Sequence, residues 1–336
     1  MFMWRRFVFC MLLSLVFASS AAAVEARSAR MKMGTRFEVT ALHPDAATAW
    51  RAVEAAYAEI DRVEALISEW QESSETSAVN RQAGLAPVKV SAEFRALLRR
   101  AVKVSRLTDG AFDVTFLSFG RLWDFKAEHP KKPSPEAIRE ALAGVGADKI
   151  VIDDAAGTAF LTHPRTRIGF GGIGQGYGAN RALQVMRGLG IEDGVVNGSG
   201  DVYAFGHQED GRPWRVGIGN PRAPEKPFGY LEVSNLAVVT SGDYEQFVVI
   251  EGERYAHILD PRTGYPAREA QSVTIVCPDV ELADALATGV SVLGVEKGLA
   301  LVDRLKDVEA VIVDQHGKIH LSKGLEGKLI QPGVTP

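Results

Sequence analysis

In HILDPRTGYPA (257–267) a histidine, a carboxylate and a guanidinium fall within six residues, as His257, Asp260 and Arg262, ahead of a turn at Thr263-Gly264. Such a loop offers a titratable base, an orienting acid and a fork for phosphate oxygens. It equally suits a solvated turn held by a local Asp–Arg pair. SGDYEQF (241–247) follows the apolar run LAVVT, and polar residues at a strand end are a usual place for a site. An Asx turn at Asp243 fits the same pattern. ELADALATGVSVLG (281–294) is more constraining. Asp284 and Thr288 are four apart in a helical pattern, hence on one face, among Leu282, Leu286, Val290 and Leu293. A carboxylate on so apolar a helix needs a partner. A Mg2+ ion held by carboxylate, hydroxyl and backbone carbonyl oxygens is one. The positive end of its own helix is another.

GFGGIG (169–174) matches G-x-G-x-x-G to the letter. The dinucleotide reading also needs an apolar strand entering and an acid at the end of the next strand. HPRTRIGF offers only Ile168 and Phe170 for that strand, and Glu192 and Asp193 precede the next one. The fingerprint fails on context. Two uses of the glycines stay open: backbone amides aimed at phosphate oxygens, or a tight turn needing positive φ.

The elements that must position these segments are mixed. DAATAWRAVEAAYAEIDRVEALISEW (45–70) predicts a helix through Val53, Tyr57, Ile60, Val63 and Ile67. Further helices are expected near 91–107, 134–146, 174–189, 281–292 and 295–306. TRFEVTAL reads as a strand. From 147 onward short strands follow, KIVID, TAFLT, DGVVNG, WRVGIG, GYLEVS, LAVVTS, QFVVIEG and SVTIVC, with a closing hairpin at 310–322. Runs of strands with helices between them indicate an α+β fold, not a doubly wound sheet.

The N-terminus, MFMWRRFVFCMLLSLVFASSAAA, has the charged start, short apolar run and small-residue exit of a secretory signal peptide cut after Ala23. The apolar run is short for a membrane span. The expected product is a periplasmic protein with no stable membrane insertion. Net charge is −4, with 46% hydrophobic and 24% charged residues, which gives no polybasic surface for nucleic acid. Of the two cysteines only Cys277 follows the signal, so no intramolecular disulfide is available to the exported chain.

In order along the chain, MGTRFEV, EIDRVEALISEWQESSETSAVN, TDGAFDVT, GGIGQGYGAN, VNGSGD, TSGDYEQF, HILDPRTGYP and ADALATGVSVLG resemble the ApbE-type FAD:protein FMN transferases. The resemblance implies one ApbE-like domain over 28–325, of T-fold-related mixed architecture, with the active site in a cleft between two lobes. It implies that the FMN half of FAD passes to a Thr or Ser hydroxyl of a target protein, as a phosphoester, with AMP released. The partner would be an exported or membrane-anchored FMN acceptor. By the same resemblance Met33, Trp70, Ala111, Phe112, Asp113, Gln175, Ile258 and Arg262 would bind FAD. Mg2+ would lie between the Gly172 carbonyl, Asp284 and Thr288. His257 would act as base, with Asp243 as the alternative. Trp70 stands where the family commonly has Tyr, and either ring can stack on a flavin or adenine. Many members carry Asp where Gly169 stands, Lys or Glu at Gln175 and Asp at Asn180; the chain also lacks the Pro-Thr-Val-Gly run that usually follows Phe-Asp. An FAD pyrophosphatase or a non-catalytic FAD-binding protein would share the same binding residues.

Overall fold

The computed structural model describes residues 23–223 and 226–330. The expected signal peptide therefore lies outside the described residues, apart from Ala23, and the first strand starts at Val24. Eight strands form the main sheet: β1 (Val24–Lys32), β2 (Thr35–His43), β3 (Asp193–Gly198), β4 (Asp201–Phe205), β5 (Leu236–Gly242), β6 (Ala270–Cys277), β7 (Glu309–Asp314) and β8 (Ile319–Leu321). Their order across the sheet equals their order along the chain, and each neighbouring pair is antiparallel. A meander of this kind contains no βαβ crossover, so the dinucleotide fold is excluded here by topology.

Six helices lie in the excursions from this meander: α1 (Ala46–Ile67), α2 (Glu75–Arg81), α3 (Ala92–Leu107), α4 (Pro135–Leu142), α5 (Gly174–Gly188) and α6 (Val280–Val302). Strand alternation divides the sheet residues between two faces. Ala237, Val239, Ile275 and Ile312 face α1, α5 and α6, whereas Val238, Val276 and Val311 face the hairpin Trp214–Ile218/Gly229–Val233. The two helices expected near 281–292 and 295–306 are the two arms of α6, which meet where Gly294 leaves helical geometry at φ 75°; the second arm ends at Val302, short of 306. By length and apolarity α6 could cross a bilayer, but here it is the buried helix packed on β5, β6 and α5.

Between β2 and β3 the chain builds the second lobe. α3 packs there with a small sheet of Val88–Lys89, Thr158–Leu161 and Ile150–Asp153 around Phe94, Leu97, Ile168 and Phe170. α1 ties the lobes together. The Asp45 carboxylate accepts from the amides of Ala47 and Thr48 and fixes its start, a cap worth about 1 kcal/mol. Val53, Tyr57 and Ile60 then enter the sheet core, and Val63 and Ile67 enter the other. Strands β1 and β4, strand Glu253–Ala256 and α2 were not legible in the apolar pattern, because each is short, edge-placed or polar.

Candidate active site

The seam between the lobes is a cleft of three connected pockets, and Gly171 lines all of them. One is apolar, walled by Ala111, Phe112, Val114, Phe116, Ile258 and Leu259. The second is a polar chamber of Thr35, Ser199, Asp201, Thr240, Glu245 and Asp284. His257, Ile258 and Thr288 line both of these. The third holds Met33, Glu64, Ile67, Trp70 and Phe170, and meets the polar chamber at Gln175. Eleven of the proposed site residues therefore converge on one cleft from segments up to 255 positions apart, Met33 to Thr288. Asp243 and Arg262 do not line it.

The glycine run owes nothing to positive φ, since Gly169, Gly171, Gly172 and Gly174 all lack it. Close approach is the reason. A methyl on Gly172 would sit 3.0 Å from Thr288 Oγ1, and one on Gly174 would sit 3.1 Å from Ile67 Cδ1. At Gly176 it would meet the Val280 carbonyl at 2.4 Å, and at Gly178 the Met33 sulfur at 2.9 Å. These glycines let the start of α5 lie against α1, α6 and Met33 at backbone distance.

Helix α6 supplies the donors of the polar chamber. Asp284 is buried, and its Oδ2 accepts from the Gly176 amide at 2.9 Å. Thr288 follows one turn later, on the same face and next to Gly172. Burial pushes the Asp284 carboxyl up to about 7, Glu281 and Glu245 push in the same direction, and the Gly176 amide opposes them. Asp201 is also buried, and its Oδ2 has no hydrogen-bond partner among the described residues. Desolvation first, then the charges of Asp284 and Glu245, raise its pKa well above the usual carboxylate range. Glu245 is pushed up to about 7 by desolvation inside the chamber, although the residue as a whole stays open to solvent at the rim. Three mutually repelling carboxylates and an orphaned buried oxygen are a site short of positive charge. Thr288 lines the same chamber with its hydroxyl next to Gly172, and oxygen donors of this hard kind fit Mg2+.

His257 follows strand Glu253–Ala256 directly, and hydrogen bonding defines its tautomer. Nδ1 lies 3.1 Å from the Gln246 carbonyl, an acceptor only, so Nδ1 carries the proton and Nε2 keeps a free lone pair. Burial lowers its pKa and outweighs the opposing effects of the Gln246 carbonyl and Asp243. The imidazole is neutral at pH 7, as a base should be. Asp243, by contrast, is held in a bidentate pair with Arg222 at 2.9 Å on both oxygens. Arg262 is likewise paired with Asp260, at 2.8 and 2.9 Å, and shapes its own loop.

Among the flavin-side residues, Asp113 lines the apolar pocket with a carboxylate that is already used. It accepts from Ser105 Oγ, the Ala147 amide, the Thr115 amide and Thr115 Oγ1, at 2.6–2.9 Å. Its task is to fix the Ala111–Val114 wall. Met33 takes φ 51° and donates its amide to Glu64 at 2.8 Å, which holds it over α5. Trp70 is 79% exposed and overhangs the third pocket, free to cover a ligand there. The sequence reading missed Asp201 and Glu245. The available signal was an acid heading the apolar strand DVYAF, and a second acid two residues beyond Asp243. Only Arg222, which occupies Asp243, separates the two acids of that loop.

Comparison with known proteins places this arrangement. A model of the ApbE family matches residues 33–312. A protein of Haemophilus influenzae described as FAD:protein FMN transferase is 32% identical over 285 residues, covering 81% of this chain and 82% of its own. A protein of Treponema pallidum with the same description is 32% identical over 314 residues, covering 88% and 86%. The crystal structure of the ApbE protein from Thermotoga maritima superposes with a TM-score of 0.83 at 31% identity, over 91% of this chain and 99% of that one. The flavin transferase ApbE from Vibrio cholerae does so with a TM-score of 0.81 at 26% identity, over 91% and 100%. The family model covers most of the chain and the fold is shared with solved ApbE proteins: this chain belongs to the ApbE family.

Proposed function

We propose that this chain is an exported, Mg2+-dependent FAD:protein FMN transferase. The observation that carries the reading is the joint at Thr288 and His257, where a pocket walled by Phe112, Phe116 and Ile258 opens into a chamber of oxygen donors. An isoalloxazine or adenine ring suits the first, and a pyrophosphate the second. Trp70 and Met33 cover the third pocket, which takes the remaining part of the dinucleotide.

Chemistry at the joint needs a base and charge compensation. The acceptor Ser or Thr oxygen attacks the FMN-side phosphorus, its proton passes to His257 Nε2, and the bond to the AMP phosphate breaks. AMP leaves, and a phosphoester joins FMN to the acceptor. Imidazole protonation is opposed by burial, so the proton is readily released again after transfer. The Gly172 carbonyl, Asp284 and Thr288 would hold Mg2+, which would supply neutralisation of the pyrophosphate charge. Asp113 and the Gly169–Gly176 segment hold the walls in register, which contributes orientation.

Incubation of the purified chain with FAD, Mg2+ and a flavin-free FMN-acceptor domain, read by intact mass, tests the proposal. A stable gain of one FMN on the acceptor, with AMP in solution, is the expected result. Free FMN and AMP alone would make the protein a pyrophosphatase, and intact FAD would make it a binding protein. Export is tested separately: a periplasmic fraction carrying a mature chain that begins at Val24 is expected.

A further inference from the structure

The hairpin Phe247–Ile250/Glu253–Ala256 is a two-stranded ribbon separate from the main sheet, and it ends at His257. The His257 amide donates to the Gln246 carbonyl at 3.0 Å, which fixes the phase of the ladder. Antiparallel pairs alternate between bonded and non-bonded. Val248 and Ile250 therefore bond across to Tyr255 and Glu253, and the amides and carbonyls of Phe247 and Val249 point to the outer edge. Side chains divide in step. Val248 is buried with Trp123 and Tyr255, whereas Phe247 and Val249 are 41% and 55% exposed.

Soluble proteins usually blunt a free edge with Lys, Pro or a covering loop. Here the edge reads FVVI and carries no further strand among the described residues. It also leads to the chemistry: Glu245, two residues upstream, lines the polar chamber with His257. Beside it, Arg254 lies 3.6 Å over the Phe247 ring. Arg222 and Arg254 both approach Asp243, at 2.9 and 3.8 Å, so among the described residues two guanidinium groups share one carboxylate.

We propose that this edge receives the acceptor protein. An extended segment bearing the target Ser or Thr pairs with Phe247–Ile250 as a third strand, apolar side chains lie on Phe247 and Val249, and a carboxylate meets the Arg222–Arg254 pair. The inference rests on the transferase reading. Glu245, in the chamber lining, is four residues from Val249 along the chain, so a strand paired there at roughly 3.3 Å per residue runs toward the chamber. Backbone pairing suits an enzyme that must hold a polypeptide briefly, with side-chain contacts adding selectivity. A four-residue edge is too short for a lasting dimer, which needs on the order of 1,200 Å2 or more.

Val249→Pro removes the outward amide and leaves the ladder bonds in place. Phe247→Ser/Val249→Ser removes the apolar contact and leaves the backbone unchanged. Both are compared with the unmodified chain on the flavin-free acceptor domain of a bacterial flavoprotein that carries phosphoester-linked FMN. The expected result is a KM for that domain raised about tenfold or more in each variant, about 1.4 kcal/mol, with FAD affinity unchanged. Retained FAD affinity also reports that the variant is folded, and the double serine variant carries the test if the proline variant is not. Unchanged KM in folded variants overturns the inference alone. No labelling by the unmodified chain overturns the transferase reading and this inference with it. A changed oligomeric state with unchanged KM assigns the edge to a second copy and overturns it too.

Discussion

Asp284 Oδ2 accepts the Gly176 amide at 2.9 Å, so an acid on α6 caps the first turn of α5. The same carboxylate faces the polar chamber. One side chain thus joins two helices and lines the chamber, and neither role is separable by deleting it. An Asp284→Asn variant separates them. It retains an oxygen for the Gly176 amide and loses the charge, so fold is expected to survive while Mg2+-dependent transfer falls about a hundredfold or more.

The raised pKa of Asp284 sets a pH dependence. Unfolded, its carboxyl loses its proton near 3.8; folded and metal-free, it keeps the proton to about 7. The folded state binds more protons across that window, so stability falls as pH rises from about 4 to 7. Bound Mg2+ stabilises the charged form. Thermal melts are expected to show a larger Mg2+-induced rise at pH 8 than at pH 5. An equal rise at both values would mean that Asp284 is not part of the ion's site.

His257 combines a defined tautomer with a burial-lowered pKa. Single-turnover transfer is expected to rise with pH and level off below the 6.5 of a free imidazole. His257→Ala is expected to slow transfer by about 10²–10⁴-fold while FAD affinity, measured by flavin fluorescence, stays near that of the parent. An Asp243→Asn variant that lost as much activity, with unchanged stability, would move the base to Asp243.

Glycine substitutions distinguish packing from ligand geometry. A methyl on Gly176 meets the Val280 carbonyl at 2.4 Å and Asp284 Cβ at 2.8 Å. Gly176→Ala should destabilise the fold by about 1–3 kcal/mol in denaturant titration. Gly172→Ala meets only Thr288 and Phe112, at 3.0–3.4 Å. Its stability should change little, and its Mg2+ requirement should rise about tenfold. Equal destabilisation by both would assign Gly172 to packing alone.

Trp70 is so exposed that its loss should leave the melting temperature unchanged. Stacking on a ring of FAD is worth about 0.5–1.5 kcal/mol, so Trp70→Ala should weaken FAD binding several-fold, and Trp70→Tyr should restore it. Unchanged FAD affinity in the alanine variant would leave the indole outside the binding site.

Much of this was written locally. The start of α1 is legible because Asp45 stands before an apolar period of three and four, and Ser91 and Ser134 mark α3 and α4 in the same way. The helical spacing of Asp284 and Thr288 is enough to put both on one face. The division of α6 at Gly294 was legible too, as two helices on either side of it. Short strands such as β4 were not, because five residues carry too little pattern.

What the sequence determined by itself was which residues to bring together: His257, Asp284, Thr288 and the glycine run stand in motifs that each left more than one use open. What only the tertiary structure decided was the use of each group. Glu245 rather than Asp243 faces the chamber because Arg222, distant in sequence, takes the Asp243 carboxylate. Asp113 lines the flavin pocket with its carboxylate spent on Ser105, Thr115 and Ala147. The glycines serve close approach of three helices, not a left-handed turn. Hydrogen-bond capacity and space are shared among neighbours, and which neighbours compete for them is fixed only when the chain folds.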